Sequence, residues 1–211
     1  MRNKFSTKFI PVMISVFVVT FLGEPSISKG ENFQKGLNAA IDGDFETAYR
    51  FWLPLAERGN ARAQSAIAQM YQNGDGVSQD YGRAIKWYIL SARQGYKSAQ
   101  YNLALLYHKG KGVNKNFKKA VKWYRKSAAQ GYAAAQSNLG NMYHQGLGLP
   151  LSKVYAQMWW IISASNGNAD AMHNKNVHSK LLKRSELQEV QNLVKRCVER
   201  FFKDCYVMPS Y

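Results

Sequence analysis

The sequence predicts an all-α protein, a solenoid of about four helical hairpins of 36 residues each with a C-terminal capping helix. Residues 80–115 align with residues 116–151 without a gap, and the two segments share Trp-Tyr, Gln-Gly-Tyr and Ala-Gln pairs at equivalent places. The apolar residues in each period follow a helical spacing, and glycines separate the helical stretches. Of the 211 residues, 46% are apolar, which is enough for a packed core.

Each predicted first helix begins at a good N-cap residue, carries alternating small and bulky core residues, and ends before a glycine. The N-caps are Asp44, Asp80, Asn116 and Ser152, and the glycines are Gly59, Gly95, Gly131 and Gly167. The small residues are Ala48, Ala84, Ala120 and Ala156, and the bulky position between them and the glycine holds Phe51, Trp87, Trp123 and Trp159. We therefore expect these four aromatic side chains to belong to the core. The alternative is a ligand cage formed by the pairs Trp87-Tyr88, Trp123-Tyr124 and Trp159-Trp160, because neighbours on a helix point about 100° apart and one ring of each pair is directed away from the other.

Each predicted second helix places an alanine, a branched aliphatic residue and a tyrosine on one face. The middle copy has Ala99, Leu103 and Tyr107, and a Gly-x-Gly turn then leads to the next copy. The apolar face of one such hairpin is too large to bury alone, so the copies must stack.

The period divides the chain into segments. We expect a signal peptide at 1–28, an N-terminal helix at 31–43, and repeats at 44–79, 80–115, 116–151 and 152–184. Residues 185–211 form the predicted capping helix and tail. Ser185 and Gln188 resemble a capping box, and apolar residues then mark one helical face through Phe202.

The N-terminus has the three parts of a secretory signal. Arg2, Lys4 and Lys8 precede an uncharged apolar run at 9–22, and Ser26-Ile27-Ser28 offers small residues for cleavage. We expect export to the periplasm or beyond the cell. The alternative is an inner-membrane anchor through residues 9–22, although this run is short for a membrane span.

The two cysteines of the chain are Cys197 and Cys205, and in an exported protein such a pair predicts a disulfide. In one continuous helix their Cα atoms would be about 12 Å apart, whereas a disulfide needs them within about 7 Å. The capping helix must therefore end near Phe202 and the chain must fold back over residues 203–204. The alternative is two free thiols.

The segment from Asp80, DYGRAIKWYILSARQGYKSAQYNLALLYHKGKGV, resembles the Sel1-like repeat family, relatives of tetratricopeptide repeats, in an exported bacterial form. The resemblance covers about residues 31–180, and the fourth copy departs from the pattern after Gly167, where Lys175 replaces the expected leucine. It implies a right-handed superhelix whose first helices line the concave side. It also implies a non-catalytic scaffold or adaptor that binds a protein partner.

The full chain has a formal net charge of +16, and the basic residues are concentrated in its middle. Residues 80–126 hold twelve basic residues and one acidic residue, whereas residues 127–152 hold no charged residue. The period stacks Arg83 with Lys119, and Lys86 with Lys122, on the first-helix face. The predicted binding residues are Arg83, Lys86, Lys119, Lys122, Arg125 and Lys126. A solvated basic face without a partner is the alternative interpretation.

An acidic protein is the favoured partner, and an anionic glycan or a lipid head group is also compatible with this surface. We expect no nucleic-acid partner for an exported chain, and we expect a monomer.

The sequence predicts no catalytic residues, no cofactor and no metal site. His108 and His144 are repeat equivalents, and His173 and His178 are five residues apart, which is wrong for one helical face. The alternative function is a cell-envelope enzyme, or a peptidoglycan or β-lactam binder, of the lactamase-like repeat type. Such relatives carry a cysteine pair in each repeat, whereas these repeats contain no cysteine.

Overall fold

The computed structural model describes residues 29–200 together with Phe202 and Cys205. These described residues form ten α-helices and no strand. The helices are α1 (Lys29–Ile41), α2 (Phe45–Glu57), α3 (Ala61–Asn73), α4 (Tyr81–Arg93), α5 (Lys97–Lys109), α6 (Phe117–Ala128), α7 (Ala133–Gln145), α8 (Lys153–Ser165), α9 (Ala169–Ser179) and α10 (Arg184–Glu199). Each helix from α1 to α8 packs against the next, and α10 packs against α8. This arrangement confirms the predicted all-α solenoid.

The predicted signal peptide at 1–28 lies outside the described residues. Within the described part of the chain, no helix combines the length and the apolar character that a membrane span requires.

The predicted N-caps are confirmed in all four first helices. The side chains of Asp44, Asp80, Asn116 and Ser152 accept hydrogen bonds of 2.8 to 3.2 Å from the backbone N–H three residues later. Each bond satisfies one of the N–H groups that a helix start leaves without an intrahelical partner.

The Gly-x-Gly turns allow close approach to the first helix of the same hairpin. Gly112 and Gly148 have φ of +69° and +72°, and a Cβ added to either residue would collide with Tyr81 or Phe117, respectively, at the start of the preceding first helix. Only glycine meets both the conformational and the steric requirement at these two positions.

A buried glutamine connects each hairpin to the next. Gln100 donates from Nε2 to the carbonyl oxygen of Ala92 at 3.1 Å, and its Oε1 accepts from Nε2 of Gln130 at 2.8 Å. Gln64 and Gln136 make the same two kinds of bond, to Ala56 and Gln94 and to Ala128 and Asn166. Three hydroxyls strengthen the same junctions, since Ser91, Ser127 and Ser163 each donate to a backbone carbonyl 30 residues earlier.

The aromatic core differs from the prediction by one residue in the first three copies. Tyr88 and Tyr124 are fully buried, whereas Trp87 and Trp123 are half-buried. In the first copy Trp52, and not Phe51, is the buried member. Neighbouring residues on a helix point about 100° apart, and the second aromatic of each pair is the one directed between the helices. The prediction holds for Trp159, which is buried together with Trp160.

The capping helix begins one residue before its predicted start. Glu186, rather than Gln188, closes the N-terminal turn, because its carboxylate accepts from the backbone N–H of Lys183 at 2.7 Å. Ser185 therefore lies inside the first turn and is not the cap, which corrects the predicted Ser185 and Gln188 box.

The C-terminal disulfide is confirmed. Cys197 and Cys205 are bonded, with their Cα atoms 4.9 Å apart. The helix ends at Glu199, and Phe202 adopts a left-handed φ of +62° while its N–H donates to the carbonyl oxygen of Cys197 at 2.9 Å. The chain thus folds back as the cysteine spacing requires, and Phe202 packs against the core.

Replacing Gln100 with alanine removes both bonds of the buried amide and leaves a cavity. We expect Gln100→Ala to lower the free energy of unfolding by about 2 kcal/mol, because each lost buried hydrogen bond costs about 0.5–1.5 kcal/mol and its remaining partner is left unsatisfied. Urea unfolding followed by circular dichroism measures the change. Gln145→Ala, at an exposed glutamine of α7, is the matched control and should change stability by less than about 0.5 kcal/mol. Equal effects for the two variants would contradict the role of the buried amide.

The aromatic pair of α6 allows a second comparison. Tyr124→Ala should cost about 3–5 kcal/mol, since it removes a fully buried ring from the core. Trp123→Ala should cost clearly less although tryptophan is larger, because its ring is partly in solvent. Thermal melts of the two variants give the order, and a larger loss for Trp123→Ala would show that the tryptophan is the core residue.

Candidate binding surface

The six predicted binding residues lie on two first helices. Arg83 and Lys86 belong to α4, and Lys119, Lys122, Arg125 and Lys126 belong to α6. All are exposed except Arg125, which is half-buried. Since α4 and α6 occupy equivalent places in consecutive hairpins, Arg83 corresponds to Lys119, and Lys86 to Lys122. We call these four residues the basic rows.

Two cations of the basic rows lie over tyrosines of the preceding second helix. The guanidinium carbon of Arg83 is 5.4 Å from the ring centroid of Tyr71, and Nζ of Lys119 is 5.3 Å from that of Tyr107. Both distances are within the range of a cation–π contact. Tyr71 and Tyr107 are themselves repeat equivalents, so the same arrangement occurs twice.

Arg83 makes further contacts that orient it. Its Nη1 donates to the Tyr71 hydroxyl at 3.4 Å, and its Nε lies 3.3 Å from Oδ2 of Asp80. The hydrogen bond to Tyr71, followed by its field and that of Asp80, raises the pKa of Arg83. The ion pair is exposed and so adds little stability, but it leaves Arg83 partly neutralised compared with Lys86.

Arg125 has a structural contact. Its Nη2 donates to the hydroxyl of Tyr143 on α7 at 3.2 Å, which links the two helices of the hairpin. Lys126 lies over the half-buried ring of Trp123, with Nζ 5.0 Å from the ring centroid. Lys86, Lys122 and Lys126 therefore form the more open part of the predicted surface.

The predicted set omits the apolar neighbours of these cations. Leu90 is 45% exposed, and the half-buried rings of Trp87 and Trp123 lie beside Lys86 and Lys122 in the sequence. The surface is thus basic and aromatic together. The signal in the sequence was the tyrosine that follows each of these two tryptophans, because neighbours on a helix point about 100° apart and so face different surroundings.

Three of the four histidines occupy two separate environments. Nδ1 of His108 is 3.2 Å from the hydroxyl of Tyr124. His144 and His178 come from different repeats and have ring centroids 4.4 Å apart, and the ring of Trp160 stacks on His178 at 4.8 Å. The part of the chain that the structure describes contains no group of three or more His, Cys, Asp or Glu side chains suited to a metal ion.

The environment of His108 favours the neutral imidazole. Burial, then the charges of Lys109 and Lys115, lower its pKa below the ordinary value. The unfolded chain therefore takes up this proton at higher pH than the folded chain does, and the stabilisation present above about pH 6.5 is lost as the pH falls towards the folded pKa.

Acidification should thus lower the melting temperature, and His108→Gln should reduce that decrease between pH 8 and pH 5. Melts of both proteins at the two pH values measure the difference. His173→Gln, at an exposed histidine, is the matched control and should melt like the wild type at both values. If the melting temperature of His108→Gln fell as much as that of the wild type, His108 would not be a cause of the acid destabilisation.

Comparison with known proteins is consistent with this geometry. The family model described as Sel1 repeat matches residues 30–60, 61–96, 97–132 and 133–168. It groups α1 with α2, α3 with α4, α5 with α6 and α7 with α8, so it divides the same solenoid at other points than the predicted segments do. No match was found among curated proteins.

Two solved structures are similar over most of this chain. A Sel1 repeat protein from Oxalobacter formigenes is 28% identical with a TM-score of 0.67, and the match covers 78% of this chain and 75% of that one. A protective antigen present in uropathogenic Escherichia coli strains, which displays an SLR fold, is 26% identical with a TM-score of 0.53. That match covers 87% of this chain but only 50% of the antigen, so this chain spans half of its length.

Proteins built from these repeats are generally non-catalytic scaffolds for protein–protein interaction. The matched ranges extend from α1 to just beyond α8 and include well over half of the chain. The protein therefore belongs to the Sel1 repeat family.

Proposed function

We propose that the protein is a non-catalytic scaffold of the cell envelope that holds an acidic protein partner on the basic rows and on Lys126. The observation that supports this proposal is that Lys86 and Lys122 are exposed at equivalent places on α4 and α6, beside the half-buried rings of Trp87 and Trp123. Side chains of one sign in register present a combined field to a partner, whereas scattered charges do not.

The charge pattern supports an anionic partner. Of the described acidic side chains, only Asp80 forms an ion pair with a member of the basic rows, and it engages Arg83 alone. The remaining cations of the surface have exposed positions from which a partner carboxylate is within reach. Steering by such a surface raises the association rate and weakens with salt.

Export is part of the proposal. The support is the basic and apolar N-terminal sequence together with the disulfide between Cys197 and Cys205, since disulfides persist in oxidising compartments. Determination of the N-terminal residue of the protein purified from its native cell tests the export step. An intact Met1 would speak against a cleaved signal.

Charge reversal tests the surface itself. We expect the triple variant Lys86→Glu, Lys119→Glu and Lys122→Glu to crosslink at least about tenfold less partner in the native envelope than the wild type does. The reason is that rim and surface charges set encounter and specificity, and like charges placed opposite each other repel. Crosslinking at low salt, followed by quantitative mass spectrometry, measures the loss, and circular dichroism checks that helicity is retained.

A matched control separates location from net charge. The variant Lys153→Glu, Lys180→Glu and Arg184→Glu makes the same change in net charge at exposed positions of α8, the α9–α10 connection and α10. It should retain the partner. If both triple variants bind as the wild type does, or if both lose the partner equally, the basic rows are not the binding surface.

A further inference from the structure

The fourth first helix, α8, has a neighbour that α4 and α6 lack. Among the described residues, α4 and α6 pack extensively only against the second helices on either side, whereas α8 also packs against the capping helix α10. Because the hairpins are equivalent, α8 shows what this face of a first helix looks like when another helix covers it.

The covered positions differ from the open ones in exposure. Trp159 is fully buried on α8, whereas its equivalents Trp87 and Trp123 are half-buried. Met158 and Ile162, on the same face of α8, are also buried. The tryptophan is thus common to the three helices, and only where α10 is present is it removed from solvent.

The residues beside the tryptophan differ in charge. The place of Met158 is taken by Lys86 on α4 and Lys122 on α6, and the place of Ile162 is taken by Leu90 and Lys126. All four of these side chains are exposed. The open face therefore keeps the aromatic centre of the covered face and surrounds it mainly with lysines.

The covering helix is amphipathic. On α10, Val190 and Cys197 are buried, while Leu193 and Val194 pack against the core cluster that contains Met158, Trp159 and Ile162. Phe202, just beyond α10, lies next to Gly131 at the end of the third first helix. The segment that begins with α10 therefore reaches the turn that follows α6.

We propose that the open face of α4 and α6 receives an acidic amphipathic helix of the partner protein, laid on the first helices as α10 is laid on α8. This inference rests on the proposed scaffold function and specifies the partner segment. Apolar side chains of the incoming helix cover Trp87, Leu90 and Trp123, and its carboxylates face Lys86, Lys122 and Lys126. Buried tryptophans are common anchors of interfaces, and an apolar helix face in a groove is a recurrent recognition mode.

The probe for the test is an acidic form of the capping helix. It is a fluorescein-labelled peptide with the sequence of residues 184–199 and the changes Arg184→Glu, Lys195→Glu, Arg196→Glu and Cys197→Ala. The control peptide has the same composition in a scrambled order without an apolar helical face. Both peptides are titrated with the full chain, and fluorescence anisotropy reports binding while circular dichroism reports the helicity of the peptide.

We expect the ordered peptide to bind saturably, to gain helicity, and to bind at least about tenfold more tightly than the scrambled peptide, because only the ordered peptide covers the tryptophans. The variant Trp87→Ala should weaken binding by a similar factor. The variant Lys86→Glu and Lys122→Glu, whose changes lie at exposed positions, keeps the test valid if the tryptophan variant does not fold. The control variant Lys153→Glu and Lys180→Glu should bind the ordered peptide as the wild type does.

Equal affinity for the ordered and the scrambled peptide would overturn the helix inference, as would binding without a gain of helicity or no binding at low salt. In those cases the scaffold proposal would still stand if the charge-reversal variant of the basic rows lost its crosslinked partner. A partner unaffected by that reversal would remove the scaffold proposal itself, so the two failures are distinguishable.

Discussion

The amide of a buried glutamine determines the spacing of the repeats. Gln100 can satisfy its donor and its acceptor only when Ala92 of its own hairpin and Gln130 of the next hairpin are both in place. A displacement of one hairpin would leave a buried polar group without a partner, which costs more than the bond contributes when formed. Gln64 and Gln136 repeat the constraint, so α4, α6 and α8 are held at equivalent positions, and side chains in register on these helices form continuous rows.

On that constant frame, a few side chains decide whether a first helix is covered or open. Met158 and Ile162 make the face of α8 apolar, and α10 buries it. The equivalent places on α4 and α6 hold three lysines and Leu90, and all four side chains are exposed. An isolated helix end would fray, and the disulfide between Cys197 and Cys205 holds the return of the chain after α10 against the core. The solenoid thus ends where α8 presents an apolar face to α10, as well as where the sequence departs from the repeat pattern.

Features that depend on backbone conformation were predictable from the sequence. The four N-caps and the glycine turns have local causes, and the period located them. The aromatic position was wrong for Trp87 and Trp123 because periodicity identifies an adjacent pair, whereas packing between helices decides which ring faces inward. The contact between Arg125 and Tyr143, and that between His144 and His178, join separate helices, so no local pattern contained them. The basic rows were predictable as a set, and the adjacent aromatic pairs indicated that one ring of each pair would point away from the other. The sequence did not identify which ring lies beside the lysines.

The constant junction has a consequence for how such a chain can lengthen. Each junction uses the same kinds of glutamine and serine contacts, so duplicating residues 80–115 would add one hairpin whose two ends fit the neighbours already present. Such an insertion would extend the lysine and tryptophan face by one unit and leave α1 and α10 unchanged. The length of the binding surface and the ends of the fold are therefore encoded in different segments. Duplication of a repeat can lengthen the surface by one hairpin at a time without changing the terminal helices.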